Sequence, residues 1–305
     1  MAMNARPMRD EADRARMLDV ARLCPTENVH VIDLPYRFSS GALDSAENVA
    51  LWEEGDTLLG WAVLQSPFWT LDYALHPDAP AGLHAEILAW ANGRADQLRD
   101  SPGGRPSWFV SVLERQAEQR RVLMAAGYSD QSAAEEPWSK VLFRRDGQEP
   151  APRVAMRPGF AVRPLAGVGE VAAYVTLHRA VFGTANMTEA WRLATLSASG
   201  HRPEFDLLAT NPAGEPVGFA VAWWWDGPGG AVAQVEPFGV RADARPYGVA
   251  WALMFELLRR LAELGATEVR VETDRQRDAA FAFYSACGFQ IVENVLVYRR
   301  DTANL

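Results

Sequence analysis

The sequence predicts an α/β (α+β) fold in two successive halves, each a mixed central sheet flanked by helices. Alternating apolar segments typical of strands are separated by apolar segments with helical spacing. A break over residues 146–159, DGQEPAPRVAMRPG, is rich in proline and glycine and has no hydrophobic periodicity. We therefore expect a domain of residues 1–145, a linker of 146–159 and a second domain of 160–305.

Composition and charge exclude several classes of protein. The 305 residues are 49% hydrophobic and 23% charged, an ordinary globular balance, and the net charge of −9 argues against nucleic acid as a partner. Cys24 and Cys287, the two cysteines, have no metal-ligand spacing and favour the cytoplasm. A charged N-terminal segment predicts no signal peptide, and no apolar run approaches the ~20 residues of a membrane span. We expect a cytoplasmic monomer or homodimer without a metal or a membrane contact.

The second half begins with an alternating segment at Phe160 and predicts the following order of elements. Two long helical segments lie near the start of the second half, and each ends in glycine. Turns rich in glycine and proline separate the apolar strands that follow. The predicted helices are 169–183, 187–200, 249–265 and 278–287, and the predicted strands are 205–210, 217–226, 231–240, 267–273 and a final stretch from 289 to 300.

The first half carries a weak copy of the second. Residues 111–128 align with residues 271–289, and both segments end in a helix followed by a small residue, glycine and an aromatic residue. The aligned ends, Tyr128 and Phe289, are 161 residues apart. An apolar strand follows each copy. This similarity in order predicts a duplicated domain.

Residues 240–250, between a predicted strand and a predicted helix, have the features of a phosphate-binding turn. The first N–H groups of a helix that begins near Gly248 have no intrahelical partner and carry the positive end of the helix dipole. Gly248 and Ala250 are small enough for a ligand to approach the backbone, and Arg245 adds positive charge. Pro246 removes one donor. The pattern predicts a pyrophosphate site, and the alternative is a turn that needs glycine for packing alone.

Two motifs resemble those of the GNAT N-acetyltransferases. The first, V-x-x-x-x-R-x-x-G-x-A, is similar to the acetyl-CoA motif of that superfamily and covers residues 240–250. The second, A-x-x-x-Y-x-x-x-G-F, follows about thirty residues later over 280–289. The resemblance covers residues 160–300 well and the first half loosely. It implies two tandem GNAT domains, the arrangement of the mycothiol synthases.

The resemblance also implies acetyl-CoA as co-substrate and assigns residues to it. The backbone amides of the turn would bind the pyrophosphate, and the end of the preceding strand would pair with the pantetheine arm. Arg277 stands where the family often has asparagine and would contact the cofactor or its adenosine phosphate. The implied cofactor-binding residues are Phe238, Gly239, Val240, Arg245, Pro246, Tyr247, Gly248, Val249, Ala250 and Arg277.

Tyr284 and Glu236 are the candidate catalytic residues. The resemblance assigns Tyr284 as the acid that protonates the departing thiolate, and a tyrosine with a pKa of ~10 is protonated at neutral pH. Glu236 is a charged residue inside an apolar strand and is the candidate base for an amine. The alternatives are a core tyrosine with a satisfied hydroxyl, and a glutamate that pairs with an arginine and shapes the pocket.

These features predict an N-acetyltransferase that moves an acetyl group from acetyl-CoA to an amine of a small molecule or peptide by direct attack. The alternative is a non-catalytic GNAT-like module that binds or senses acyl-CoA. In the first half, Pro80 replaces the arginine of the turn and Leu123 replaces the tyrosine. We therefore expect a degenerate N-terminal domain that catalyses no reaction and binds no CoA.

Overall fold

The computed structural model describes residues 5–24, 29–101 and 104–303 and confirms the mixed α/β architecture. The first four residues of the charged N-terminal segment lie outside these ranges. Within the described ranges, no helix is long and apolar enough to cross a membrane.

The helices are α1 (Glu11–Leu23), α2 (Leu34–Phe38), α3 (Leu83–Leu98), α4 (Ala117–Ala125), α5 (Val171–Phe182), α6 (Glu189–Ser197), α7 (Val249–Glu263) and α8 (Asp278–Ala286). The strands are β1 (Ala5–Arg6), β2 (Val49–Glu54), β3 (Thr57–Gln65), β4 (Thr70–Leu75), β5 (Ser107–Leu113), β6 (Ser129–Asp130), β7 (Ser139–Asp146), β8 (Ala161–Pro164), β9 (Asp206–Thr210), β10 (Pro216–Gly227), β11 (Gly230–Val240), β12 (Ala266–Asp274) and β13 (Gln290–Asp301).

The chain forms two compact units that are not contiguous in sequence. Unit 1 consists of Met1–Val141, Asp274–Gln276 and Glu293–Leu305, and unit 2 of Leu142–Thr273 and Arg277–Val292. A linear division at residues 146–159 differs from these units in three segments, because residues 142–145 belong to unit 2 while 274–276 and 293–305 belong to unit 1. The sequence pattern predicts both terminal strands but does not say which sheet edge each one joins.

Unit 1 holds the first copy of the repeated sheet. Its strands lie in the order β1-β2-β3-β4-β5-β13, and β4 and β5 are parallel while the other neighbours are antiparallel. The C-terminal strand pairs with β5 from Val295 opposite Leu113 to Asp301 opposite Ser107. Helix α3 packs its apolar face on this sheet, as the buried Ile87 shows. The C-terminal strand thus completes the sheet built by the first half.

Unit 2 repeats this order as β8-β9-β10-β11-β12-β7. Strands β11 and β12 are parallel, whereas the pairs β8–β9, β9–β10 and β10–β11 are antiparallel. Helices α4 and α8 begin at Ala117 and Asp278, the 161-residue offset of the sequence repeat. The helix and strand order therefore confirms the predicted duplication.

Helix α7 places the candidate phosphate turn at its N-terminus. Its charged residues share one face, where Glu256 pairs with Arg259 at 2.8 Å and with Arg260 at 2.7 Å. The opposite face is apolar and buried, with Leu253 and Leu257 both at 0% exposure. The predicted amphipathic helix is confirmed, and burial of its apolar face fixes it on the sheet.

A buried ion pair joins α6 to the sheet of unit 2. The Arg192 guanidinium donates to both carboxylate oxygens of Asp206, at 2.7 and 2.5 Å, and both side chains are 1% exposed. His201 Nε2 lies 2.9 Å from the same carboxylate, and the guanidinium stands 3.7 Å from the Tyr174 ring centroid. Because buried charges need partners, this cluster fixes the position of α6 relative to β9.

We expect Asp206→Ala to lower the free energy of unfolding by about 3–5 kcal/mol, because it removes the carboxylate from a buried guanidinium. The matched control is Asp243→Ala, which removes the exposed carboxylate paired with Arg241 and leaves the urea midpoint unchanged. Urea denaturation followed by circular dichroism measures both. Equal midpoints for the two variants would contradict a structural role for the buried pair.

Candidate active site

The two parallel strands of unit 2 separate at the position of Glu236. In the described residues the pairing of β11 with β12 ends at Gln234 and Arg270, although β11 continues to Val240. Strand β11 remains paired with β10 beyond this point, up to Val240 opposite Gly218. In an antiparallel ladder alternate residues direct their N–H and C=O groups away from the partner. The ladder with β10 shifts register at Glu236 and Pro237 and resumes from Phe238 to Val240. Alternate backbone groups of residues 238–240 therefore face the opening between the strands.

Tyr284 lies on α8 in an aromatic environment. Its ring centroid is 5.9 Å from that of Phe143, 6.3 Å from that of Phe238 and 5.6 Å from that of Phe283. The residue is 7% exposed. The aromatic surroundings hold the ring in place on α8.

Burial raises the pKa of Tyr284 above its ordinary value, and the negative charge of Glu236 raises it further, while the Arg277 guanidinium acts in the opposite direction. Tyr284 is therefore protonated throughout the neutral range. The Tyr284 ring also packs near Phe238, which lies two residues from Glu236 on β11.

Glu236 occupies a half-buried position in β11. Its backbone carbonyl accepts a hydrogen bond from Trp223 Nε1 at 2.8 Å, which ties the strand to β10 at this residue. Its charge also contributes to the raised pKa of the buried Tyr174, after burial itself and the Asp206 charge. The charge of Glu236 thus acts on a tyrosine of α5 and on the tyrosine of α8.

The candidate phosphate turn has the expected form. Residues Ala242–Tyr247 make a 3₁₀ turn, and Gly248 follows with a φ of 78° directly before α7. Glycine has no side chain to cap the first N–H groups of the helix, which leaves them available to an anion. An added Cβ at Gly248 would stand 3.2 Å from the Ala155 carbonyl oxygen. Glycine is therefore required here by conformation and by packing.

The remaining residues of the turn have different surroundings. The Arg245 side chain folds back and donates through Nε to the Val240 carbonyl at 3.2 Å. The Tyr247 ring packs against Phe160, with centroids 5.3 Å apart, and its carbonyl accepts from the Arg157 amide at 3.2 Å. Pro246 lies inside the 3₁₀ turn. A ligand at this turn would therefore contact backbone N–H groups more than side chains.

The arginines near the candidate phosphate turn supply less free positive charge than the sequence suggests. Arg241 is engaged by Asp243, with Nε–Oδ1 and Nη2–Oδ2 distances of 2.7 and 2.9 Å. Arg277 is exposed and lies at the N-cap of α8, and its carbonyl accepts from the amides of Ala280 and Phe281. Among the predicted cofactor residues, Arg245 and Arg277 supply the cationic side chains.

Gly239 is fixed by the helix that crosses the strand. An added Cβ would lie 2.5 Å from Val181 Cγ1 and 2.9 Å from Phe219 Cζ. Phe238 stacks on Phe283 with centroids 5.4 Å apart and the ring planes 17° from parallel. The end of β11 is therefore held on both faces, while its open edge faces the separation from β12.

Two residues of β7 hold the helix that carries Tyr284, and sequence reasoning missed both. Phe143 packs on Phe281 and Tyr284. Arg145, 3% exposed, donates to the Cys287 carbonyl at 3.1 Å and so binds the C-terminal end of α8. No spacing signal marks them, because they belong to a strand more than 130 residues away in sequence.

Cys287 agrees with its interpretation as a small buried residue. It is 3% exposed, and burial raises its pKa to about 12. The thiol is therefore not ionised at neutral pH and is a poor nucleophile.

The comparisons with known proteins support this description. Residues 171–289 match the model of the acetyltransferase (GNAT) family. The chain is similar to a mycothiol acetyltransferase of Paenarthrobacter aurescens (strain TC1), with 26% identity over 244 residues that cover 77% of this chain and 71% of the relative.

Solved structures show the same fold. A GCN5-related N-acetyltransferase from Sphaerobacter thermophilus matches with a TM-score of 0.65 and 18% identity, over 98% of this chain and 96% of the other. A tandem GNAT protein from the clavulanic acid biosynthesis pathway matches with a TM-score of 0.67 and 14% identity, over 99% of both chains. The family match over residues 171–289, together with the duplicated sheet and the shared fold, supports a tandem GNAT-type protein.

Proposed function

We propose that this protein transfers an acetyl group from acetyl-CoA to an amine of a small molecule or peptide, and that unit 2 catalyses the reaction. The observation that carries the proposal is the packing of Tyr284 near Phe238, two residues from Glu236 on β11, beyond the point where β11 and β12 stop pairing. A carboxylate and a protonated phenol on one opening supply the base and the acid that acyl transfer to an amine requires. The similarity to a mycothiol acetyltransferase favours a small-molecule acceptor.

The opening and the turn beside it fit acetyl-CoA. The uncapped N–H groups of Val249 and Ala250 suit a pyrophosphate at the start of a helix of 15 residues. The open edge of β11 suits the amides of a pantetheine arm, which would pair with it as an added strand. Phe238 and Tyr284 then lie where that arm ends, so the thioester would reach the two candidate catalytic groups.

The proposed reaction is a direct attack. The amine nitrogen gives a proton to Glu236, directly or through water, and bonds to the thioester carbonyl carbon. A backbone N–H of Phe238 or Gly239 that faces the opening donates to the oxyanion of the tetrahedral intermediate. The carbon–sulfur bond then breaks, and the CoA thiolate takes a proton from the Tyr284 hydroxyl.

The electrostatics of the pair favour this order of steps. Burial raises the pKa of Tyr284 and a negative charge on Glu236 raises it further, so the tyrosine holds its proton before the reaction begins. Once the amine has protonated Glu236, that charge is gone and the pKa of Tyr284 falls. The tyrosine is therefore a stronger acid at the stage when the thiolate leaves.

We expect Tyr284→Phe to lower kcat by about 100-fold, because the leaving thiolate loses its proton donor, and to change the Kd of acetyl-CoA by less than about threefold. The matched control is Tyr298→Phe, which removes the hydroxyl of a buried tyrosine of unit 1 that contacts Arg120. Release of CoA in the presence of a pooled amine panel measures kcat, and calorimetry measures Kd.

Unchanged turnover in the Tyr284 variant would remove this residue from the mechanism. Binding of acetyl-CoA to the wild-type chain without turnover on any amine would favour the non-catalytic acyl-CoA-binding module instead.

Gly248→Val should weaken acetyl-CoA binding at least about tenfold, because the new side chain pushes the turn away from the Ala155 carbonyl. Gly265→Val is the matched control. Gly265 has a φ of 87° at the other end of α7, and an added Cβ there meets nothing within 4 Å. Both variants carry the same kind of backbone strain, ~1–3 kcal/mol. An equal loss of affinity in both would show that strain, not the turn, is responsible.

Glu236→Gln should lower kcat/KM at pH 7 and should lower it less at pH 9. At pH 9 a larger fraction of the amine is already deprotonated, so the reaction depends less on a base. A profile of kcat/KM between pH 6 and 10 measures this. Glu268→Gln, on β12, controls for loss of a carboxylate and should keep the wild-type profile. A Glu236 variant with a uniform loss at every pH would assign Glu236 a structural role.

A further inference from the structure

A groove of about 420 Å³ lies beside the turn that precedes α7. Three segments of unit 2 line it, and they contribute Arg157, Pro212 and Asp243 in turn. These segments are the end of the predicted linker, the turn between β9 and β10, and the 3₁₀ turn before α7. Neither Glu236 nor Tyr284 lines the groove. Its volume falls in the range of small-molecule sites, ~300–1,000 Å³.

Arg157 brings to this groove a positive charge that has no acidic partner. In the residues that the structure describes, its guanidinium forms no ion pair and stands over the Tyr247 ring, 4.8 Å from the centroid. Its backbone amide donates to the Tyr247 carbonyl at 3.2 Å, which fixes the position of the residue beside the turn. Because Arg157 is exposed, the N–H groups of its guanidinium are available to a ligand.

The other charged groups at the groove balance one another. Arg241 is held by Asp243, with Nε–Oδ1 and Nη2–Oδ2 distances of 2.7 and 2.9 Å. Glu215 accepts a hydrogen bond from Asn211 Nδ2 at 2.8 Å and does not line the groove. Asp243 and, more weakly, Glu215 raise the pKa of Arg241, so both carboxylates act on that arginine. The lining therefore carries one uncompensated positive charge, which belongs to Arg157.

Hydrogen bonds and packing fix the walls of the groove. The Asn211 side-chain oxygen accepts from the amides of Ala213 and Glu215 at 3.0 and 2.9 Å, which closes the turn between β9 and β10. Gly159 has a φ of 89°, and an added Cβ there would lie 2.9 Å from Pro212 Cγ. The end of the linker therefore packs closely on this turn. A preformed site of this kind loses little conformational entropy when a ligand binds.

The chemistry of the lining favours a phosphate over an apolar ligand. Polar atoms make up most of the exposed lining. An arginine matches the oxygens of a phosphate with two parallel hydrogen bonds, and a phosphate monoester carries close to two negative charges at neutral pH. Tyr247 lines the groove and directly precedes Gly248, so the groove adjoins the proposed pyrophosphate turn. Val249 and Ala250, the first residues of α7, do not line it.

We propose that this groove binds a phosphate monoester and that Arg157 is the residue that holds its phosphate. Two sources have this chemistry: the adenosine 3′-phosphate of the acetyl-CoA proposed for unit 2, and a separate phosphorylated small molecule. Only the first source rests on the proposed function. Arg277, the other candidate cation for the adenosine phosphate, does not line the groove.

Arg157→Gln removes the charge from the groove and keeps a polar side chain. Arg153→Gln is the matched control, since Arg153 is an exposed arginine of the same linker that does not line the groove. The ligands are acetyl-CoA, its 3′-dephospho form and ribose 5-phosphate, with ribose as the phosphate-free reference. Isothermal titration calorimetry measures the Kd of each ligand with the full-length wild-type chain and both variants.

We expect Arg157→Gln to weaken acetyl-CoA binding at least about fivefold and 3′-dephospho-acetyl-CoA binding less than about twofold, because only acetyl-CoA carries the 3′-phosphate. Arg153→Gln should change neither. A separate phosphate source would instead leave the two thioesters alike. Ribose 5-phosphate would then bind the wild-type chain beside 3′-dephospho-acetyl-CoA, and would bind the Arg157 variant at least about fivefold more weakly.

The proposal is overturned if neither acetyl-CoA nor ribose 5-phosphate shows a phosphate-specific loss in the Arg157 variant, or if the Arg153 variant shows the same loss. A wild-type chain that binds neither thioester would contradict the proposed function. The titration with ribose 5-phosphate then decides the groove without it.

Discussion

The separation of β11 from β12 after Gln234 is the constraint on which the candidate active site depends. It leaves the last residues of β11 paired on one side and open on the other. It also places Glu236 at the apex of the opening and directs the end of the strand toward the turn before α7. If β11 and β12 stayed paired to their ends, the backbone N–H and C=O groups that a ligand needs would be hydrogen-bonded between the two strands. Tyr284 would then have no opening to face.

The groups around this opening are held by residues from distant parts of the chain. Phe143 and Arg145 come from β7 and fix α8, while Val181 of α5 covers Gly239. The buried pair of Arg192 and Asp206 fixes α6 nearby. Each of these residues satisfies a packing or charge requirement, and those of β7 hold the helix that carries Tyr284. A rigid surround of this kind suits catalysis by prepositioned groups.

The sequence predicts much of this arrangement. The spacing of apolar residues predicted the helices and strands of unit 2 in their correct order, because each element buries one face along its length. Gly248 indicated the turn before α7. The sequence did not show that the C-terminal strand joins unit 1, since an apolar strand fits either sheet edge. It also did not reveal Arg145, or the pairing of Arg241 with Asp243, because such contacts depend on tertiary folding. The comparison of the two copies adds that unit 1 also has an opening between its parallel strands, because β4 and β5 pair only at Thr70 and Phe109 in the described residues.

The account is tested most directly by a crystal structure of the chain with acetyl-CoA. It predicts one acetyl-CoA in unit 2, with the pyrophosphate against the N-terminal amides of α7, the pantetheine arm along the open edge of β11, and the thioester sulfur within hydrogen-bonding distance of the Tyr284 hydroxyl. Acetyl-CoA bound in the cleft of unit 1 with the turn at Gly248 empty, or bound in unit 2 with its sulfur remote from Tyr284, would contradict the account.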